Sequence, residues 1–152
     1  GAPDIGQMVQ RLEARVREGN PTAQGLMMLG RSYRVLGRDA DAIGVLKQAA
    51  ERDATPATLF AYGEALFRGG GDVDEAAATF ERVLAQAPRM PEALWYKSLT
   101  LVKRHRVDEA RVILRDLRGL VTDNQEATRA VGELLATLDR VGPAGTPRPQ
   151  AN

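Results

Sequence analysis

The octapeptide Leu26-Met27-Met28-Leu29-Gly30-Arg31-Ser32-Tyr33 sets large apolar side chains at helical intervals around one glycine. A second helix can approach the backbone closely at such a residue, with the apolar side chains filling the space around the contact. Ala42, Leu46 and Ala49 supply the facing surface. The combination recurs twice. Leu59, Tyr62, Gly63 and Leu66 precede Ala76, Phe80, Val83 and Pro88, and Leu94, Lys97, Ser98 and Leu101 precede Ala110, Leu114 and Leu117. Ala42, Ala76 and Ala110 are separated by 34 residues at each step, whereas Gly30, Gly63 and Ser98 are 33 and 35 apart. One extra residue therefore falls in the second inter-helix turn, at Gly69-Gly70-Gly71, where glycine accepts positive φ.

Working outward, the repeat predicts helices near 22–36, 39–52, 56–68, 72–86, 91–104 and 107–119. Asn20-Pro21 and Thr55-Pro56 pair a capping side chain with a proline at the first helical position, and Pro91 starts a third such helix. Asp39 and Asp72 are expected to cap the second helices, Asp72 in capping-box spacing with Glu75. Two further helices flank the six. In residues 4–18, Ile5, Met8, Val9, Leu12 and Val16 form one apolar face. Over 123–140, opened by Asp123 with Glu126, Val131, Leu134, Leu135 and Leu138 form another.

A 34-residue helix-turn-helix period with small residues at these places resembles the tetratricopeptide repeat. The expected fold is all-α: three repeats, about 22–54, 56–89 and 91–121, wound as a right-handed superhelix, with an additional N-terminal helix and a C-terminal capping helix that cover the solenoid's ends. Residues 1–141 would form this domain. From Gly142 onward the Gly- and Pro-rich sequence has no apolar period, so 142–152 is expected to be a disordered tail.

Composition narrows the function classes. Hydrophobic residues make up 43% and charged residues 27%, and no run of 18 apolar residues suggests a membrane span. Basic and acidic residues, 21 against 20, nearly cancel, which argues against a nucleic-acid surface. There is no cysteine and one histidine, His105, expected near the end of a helix where positive charge is favourable. No zinc or phosphate-loop motif occurs, and the acidic groups Asp39-Ala40-Asp41, Asp72-Val73-Asp74-Glu75 and Asp108-Glu109 fall at helix starts. No catalytic, cofactor-binding or metal-binding residue is assigned, and the chain reads as a non-enzyme.

In a solenoid of helix pairs the first helices line the concave side. Beside each buried leucine of the pattern stand Met27, Phe60 and Trp95, expected to form an apolar, largely aromatic stripe. Further along the same helices come Arg31, Glu64 and Leu99, then Arg34, Phe67 and Val102, with Arg68 and Lys103 at the rim. The expected groove is apolar in the centre and mixed in charge, with a basic bias from Arg31, Arg34, Arg68 and Lys103, and suits an amphipathic helix or extended peptide with carboxylates toward the rim. The asparagine-and-lysine combination of adaptors that clamp a terminal carboxylate is not reproduced at Met27, Arg31, Arg34 and Val35.

Over roughly residues 4–140 the chain also resembles the C-terminal periplasmic domain of the cytochrome c-type biogenesis family CcmI, or CycH. The residues that carry this are Asp4-Ile5, Met8 to Arg15, Gly19-Asn20-Pro21, Leu29 to Tyr33, Tyr62 to Leu66, the glycine-rich turn, and Pro91-Glu92-Ala93-Leu94-Trp95. The resemblance implies a periplasmic chaperone that holds the C-terminal helix of apocytochrome c for the haem-ligation complex. It also implies membrane attachment through segments absent from this chain. Met27, Phe60 and Trp95 would then receive the client's apolar side. Lys97-Ser98, Leu101 and the turn Lys103-Arg104-His105-Arg106 depart from the pattern. The alternative is a tetratricopeptide adaptor or scaffold for an unrelated peptide.

Overall fold

In a computed structural model, residues 4–141 are described, and their elements are eight helices: α1 Ile5–Arg17, α2 Ala23–Val35, α3 Asp39–Arg52, α4 Pro56–Arg68, α5 Val73–Gln86, α6 Pro91–Lys103, α7 Val107–Leu120 and α8 Gln125–Arg140. The expected disordered tail lies outside the described residues. Two compact units, Gly1–Gln86 and Ala87–Asn152, divide the chain.

In the first unit α2 packs on α3 and α4 on α5, with α3 against α4 and α1 against α2; in the second α6 packs on α7 and α7 on α8. The repeat's small residues explain the closeness of each pair. A Cβ added at Gly30 would stand 2.5 Å from Leu46 Cδ2, and one at Gly63 would stand 2.9 Å from Phe80 Cε1. Ala42, Ala76 and Ala110 are wholly buried. The third pair carries Ser98 at the small position, also wholly buried, with its hydroxyl donating to the Leu94 carbonyl at 2.9 Å.

Turn geometry follows the same plan with one variation. The turns 36–38 and 104–106 have three residues and 69–72 has four, so the extra residue lies in the glycine run. Each first helix ends with a left-handed residue, Gly37 (φ 72°), Gly70 (φ 73°) or His105 (φ 60°). The next amide closes the turn by donating back five residues: Arg38 to Tyr33, Gly71 to Leu66, and Arg106 to Leu101. His105 thus lies just past the end of α6, as a turn residue in a glycine's conformation.

Helix starts depart from expectation at four places. Thr22, not Asn20, caps α2, accepting from the Gly25 amide at 2.9 Å, because the helix begins two residues after Pro21. Asp39 is the first residue of α3, and the preceding cap, Arg38, makes no side-chain capping bond, its guanidinium donating instead to the Asp41 carboxylate at 2.9 Å. Asn124, one residue beyond Asp123, caps α8 through the Ala127 amide. Thr55 caps α4 as expected, in a reciprocal arrangement with Thr58. Asp72 accepts from the Asp74 and Glu75 amides, but the Glu75 carboxylate accepts from the Tyr62 hydroxyl instead of closing a capping box.

The flanking helices cover apolar surface. Val9 and Leu12 of α1 join Leu29, Tyr33 and Ala42, while Ile5, Met8 and Val16 pack at the margin. Val131, Leu135 and Leu138 of α8 join Leu101, Val107, Leu114 and Leu117; Leu134 is only half-buried. Arg111 of α7, 8% exposed, reaches to the end of α8. Its guanidinium donates to the Leu138 carbonyl, to the Val141 carbonyl at 3.0 Å and to Asp108 at 2.5 Å, and its Nε faces Asp139 at 3.3 Å.

Candidate functional site

Helical spacing separates two faces on each first helix. On α2, Leu26, Leu29, Gly30 and Tyr33 are buried, while Met27, Arg31 and Arg34, four and then three residues apart, are partly or fully exposed. On α4, Leu59, Tyr62, Gly63 and Leu66 are buried, whereas Phe60, Glu64 and Phe67 are half-buried and Arg68 is exposed. Trp95, Leu99 and Val102 repeat the spacing on α6, half-buried, with Lys103 exposed beyond them. None of the eleven residues expected in a groove belongs to the buried core.

The first unit joins two of these surfaces directly. Arg34 Nη1 on α2 is 2.5 Å from Glu64 Oε1 on α4, and Arg68 Nη1 stands 3.9 Å from Glu64 Oε2. Arg34 is thus paired with Glu64 and Arg68 stands near the same carboxylate, so the charge on these two helices is mixed. Opposite charges one turn apart on neighbouring first helices were the available signal, and a reading of each position by itself passes over them. Arg31, Arg34, Val35, Asp39 and Arg68 line an open depression of about 460 Å3. Val35, 75% exposed, is apolar surface next to the arginines.

The aromatic residues are less free than expected. Phe60 lies against Phe80 of its own helix pair, ring centroids 5.9 Å apart and planes at 59°, so part of its ring serves the core. In the second unit Trp95 and Val102 pack against the cluster of Leu101, Leu114 and Leu117 with part of their surface. Both remain partly exposed on α6.

Buried polar groups adjust the repeat rather than create a reactive centre. Tyr33 donates to Glu13 of α1 at 2.6 Å, beneath the Arg38 guanidinium 4.3 Å from the ring centroid. Burial first, then that hydrogen bond, push its phenol up to about 12. Burial and the bond to Glu75 likewise raise Tyr62. Glu109 is lowered, chiefly by its hydrogen bond from Arg106. Among the described residues no group of three or more His, Cys, Asp or Glu is placed to hold a metal ion, and no helix is long and apolar enough to cross a membrane.

Helix pairs closed over small residues, each presenting a mixed outer face on its first helix, define a helical-repeat protein. Two family models, both described as tetratricopeptide repeat, match residues 27–70 and 67–134. The chain is a tetratricopeptide-repeat protein. No curated protein matches it in sequence. Among solved structures it is similar to YrrB, described as a TPR protein with an unusual peptide-binding site, with TM-score 0.75, 20% identity and 85% of this chain covered. The match spans 66% of YrrB, just under two thirds of that protein. It is also similar to the type III secretion translocator chaperone SycD of Yersinia enterocolitica (TM-score 0.71, 17% identity, 76% of this chain and 82% of that one). A third similarity is to the TPR2B domain of yeast Sti1 in a pHsp70 complex (0.70, 16%, 77% and 95%). At these identities the likeness establishes the fold.

Proposed function

We propose that this chain is a non-catalytic peptide-binding module whose first helices contact the client. The observation that carries the reading is the Arg34–Glu64 bridge, which holds the outer faces of α2 and α4 side by side. Met27, Phe60 and Phe67 then offer apolar surface among Arg31, Arg34, Glu64 and Arg68, the composition that an amphipathic segment requires. On α6, Trp95, Leu99, Val102 and Lys103 are proposed as a further contacting set. Trp95 is the strongest single anchor, since a large ring with part of its surface open binds well at modest entropic cost. YrrB, similar in fold, is described with a peptide-binding site and the Sti1 domain in a pHsp70 complex, which agrees with this general reading.

A narrower client follows from the sequence resemblance alone: the C-terminal helix of an apocytochrome c, held in the periplasm for the haem-ligation complex. An adaptor for an unrelated peptide accounts for the fold and the surfaces, and the similar solved structures support it better than the narrower client. Calorimetric titration with such a cytochrome helix and a scrambled peptide of equal charge separates them. Binding of the native pattern alone supports the narrower client; equal binding of both, or of neither, removes it and leaves the general reading in place.

A further inference from the structure

We propose that α8 and α1 are complementary ends of the repeat array, and that α1 of a second copy of this chain docks on α8 to complete a fourth helix pair. Gly132 of α8 continues the small-residue series: Gly30, Gly63, Ser98 and Gly132 follow one another at steps of 33, 35 and 34 residues. Leu135 continues Tyr33, Leu66 and Leu101 at the same steps, and all four are buried. By this phase α8 is a first helix. In the earlier pairs the small position is covered, by Leu46 over Gly30 and by Phe80 over Gly63, and Ser98 is wholly buried. A Cβ added at Gly132 would meet no atom within 4 Å. The crossing point on α8 is therefore open, and the sequence of residues 142–152 offers no apolar period with which to cover it.

The complementary phase belongs to α1. Met8 and Leu12 stand 34 residues before Ala42 and Leu46, which makes α1 a second helix, packed on α2 as α3 is packed on α4. Among the described residues no first helix is paired with it. Leu12 keeps 7% exposure where Leu46 has 1%, and Met8 is half-buried where Ala42, Ala76 and Ala110 are wholly buried. Laid antiparallel on α8, Leu12 of the second copy would cover Gly132 as Leu46 covers Gly30. Met8, one turn earlier, would then meet exposed Ala136, one turn later, where its flexible side chain fills the space that a small residue leaves. Charge agrees with this pairing: α1 carries Arg11, Arg15 and Arg17 against Glu13, whereas α8 carries Glu126, Glu133 and Asp139 against Arg129 and Arg140. The contact joins unlike surfaces, so it is head-to-tail and leaves a free α1 and a free α8 on every assembly.

Sedimentation velocity of the full chain from about 10 µM to about 1 mM reads the association, a range suited to an interface of one helix pair. The wild-type mass should rise with concentration past that of a dimer. Gly132→Leu should melt no lower than wild type by circular dichroism, because no atom lies within 4 Å of the added Cβ, yet associate at least about ten-fold more weakly. Met8→Glu, which would set a carboxylate against Ala136 and near Asp139 of the docked copy, should weaken association similarly. Mixed in equal amounts, the two variants should recover wild-type affinity to within about three-fold and stop at a dimer, since one keeps its α1 and the other its α8. Wild type that stays monomeric throughout overturns the proposal. So does Gly132→Leu that associates as wild type does, or a mixture no better than its components, which would mean that the copies meet through like faces. Peptide binding by the first helices stands or falls separately from each of these outcomes.

Discussion

Leu46 occupies the space that a side chain on Gly30 would need. A Cβ built there lies 2.5 Å from Leu46 Cδ2, whereas the corresponding Cβ at Gly63 lies 2.9 Å from the edge of the Phe80 ring. In the third repeat Ser98 carries a Cβ at the corresponding position and is itself wholly buried, so that helix pair accommodates it. Gly30→Ala gains up to about 1 kcal/mol of helix propensity but must displace Leu46 at a cost of about 1–3 kcal/mol. A net loss of about 1 kcal/mol or more in urea denaturation is expected, and Ser98→Ala should change stability by less than about 1 kcal/mol. Equal stability of Gly30→Ala and wild type would contradict this account of the helix crossing.

His105 holds a φ of 60° at the turn position filled by Gly37 and Gly70 in the first two repeats. The left-handed conformation costs a residue with a Cβ about 1 kcal/mol relative to glycine. His105→Gly should therefore raise stability by up to about 1 kcal/mol, and Gly37→Ala should lower it by a similar amount. Thermal denaturation of the two variants, expected to shift in opposite directions, checks the assignment.

Arg111 ties α7 to the end of α8 through the Leu138 and Val141 carbonyls. Truncation leaves these acceptors and the neighbouring Asp108 and Asp139 without their cation, so Arg111→Met should cost about 2 kcal/mol or more. The loss should be local. Amide exchange is expected to accelerate over residues 125–140 of α8 before it changes in α2 to α5.

The Tyr33 phenol, raised to about 12, binds its proton more tightly when folded than in the unfolded chain, where tyrosine titrates near ~10. Its contribution to stability is complete below about pH 10 and is lost as the pH rises through about 12. Wild type should thus lose stability more steeply than Tyr33→Phe over this interval. Parallel urea midpoints for the two proteins across that range would show that the Glu13 bond does not hold the proton.

Most of the fold is legible in the sequence because it depends on residue size at fixed spacing. Gly30, Gly63, Ala42, Ala76 and Ala110 mark the crossings, and the 33- and 35-residue steps locate the longer turn. Caps are less legible, since Asn20 and Thr22, or Asp123 and Asn124, are chemically equivalent candidates and the backbone entering the helix chooses between them. The surface is legible in outline: helical spacing places Met27, Arg31 and Arg34 away from the core. Pairing is not, because Arg34 with Glu64, and Arg111 with the end of α8, join residues about thirty apart through side chains whose reach no local pattern records.

The central claim is that the outer faces of the first helices bind peptide. Its most direct measurement is the affinity of peptides selected from a random library on the wild-type protein, compared across Phe60→Ala, Trp95→Ala and Val112→Ser. Val112 lies on the second helix α7 and is 58% exposed, so it serves as the control. The first two substitutions should each weaken binding by about 2 kcal/mol, roughly thirty-fold, with Val112→Ser unchanged. Selected peptides that bind the folded Phe60 and Trp95 variants as tightly as wild type, or that lose affinity only with Val112→Ser, would contradict it.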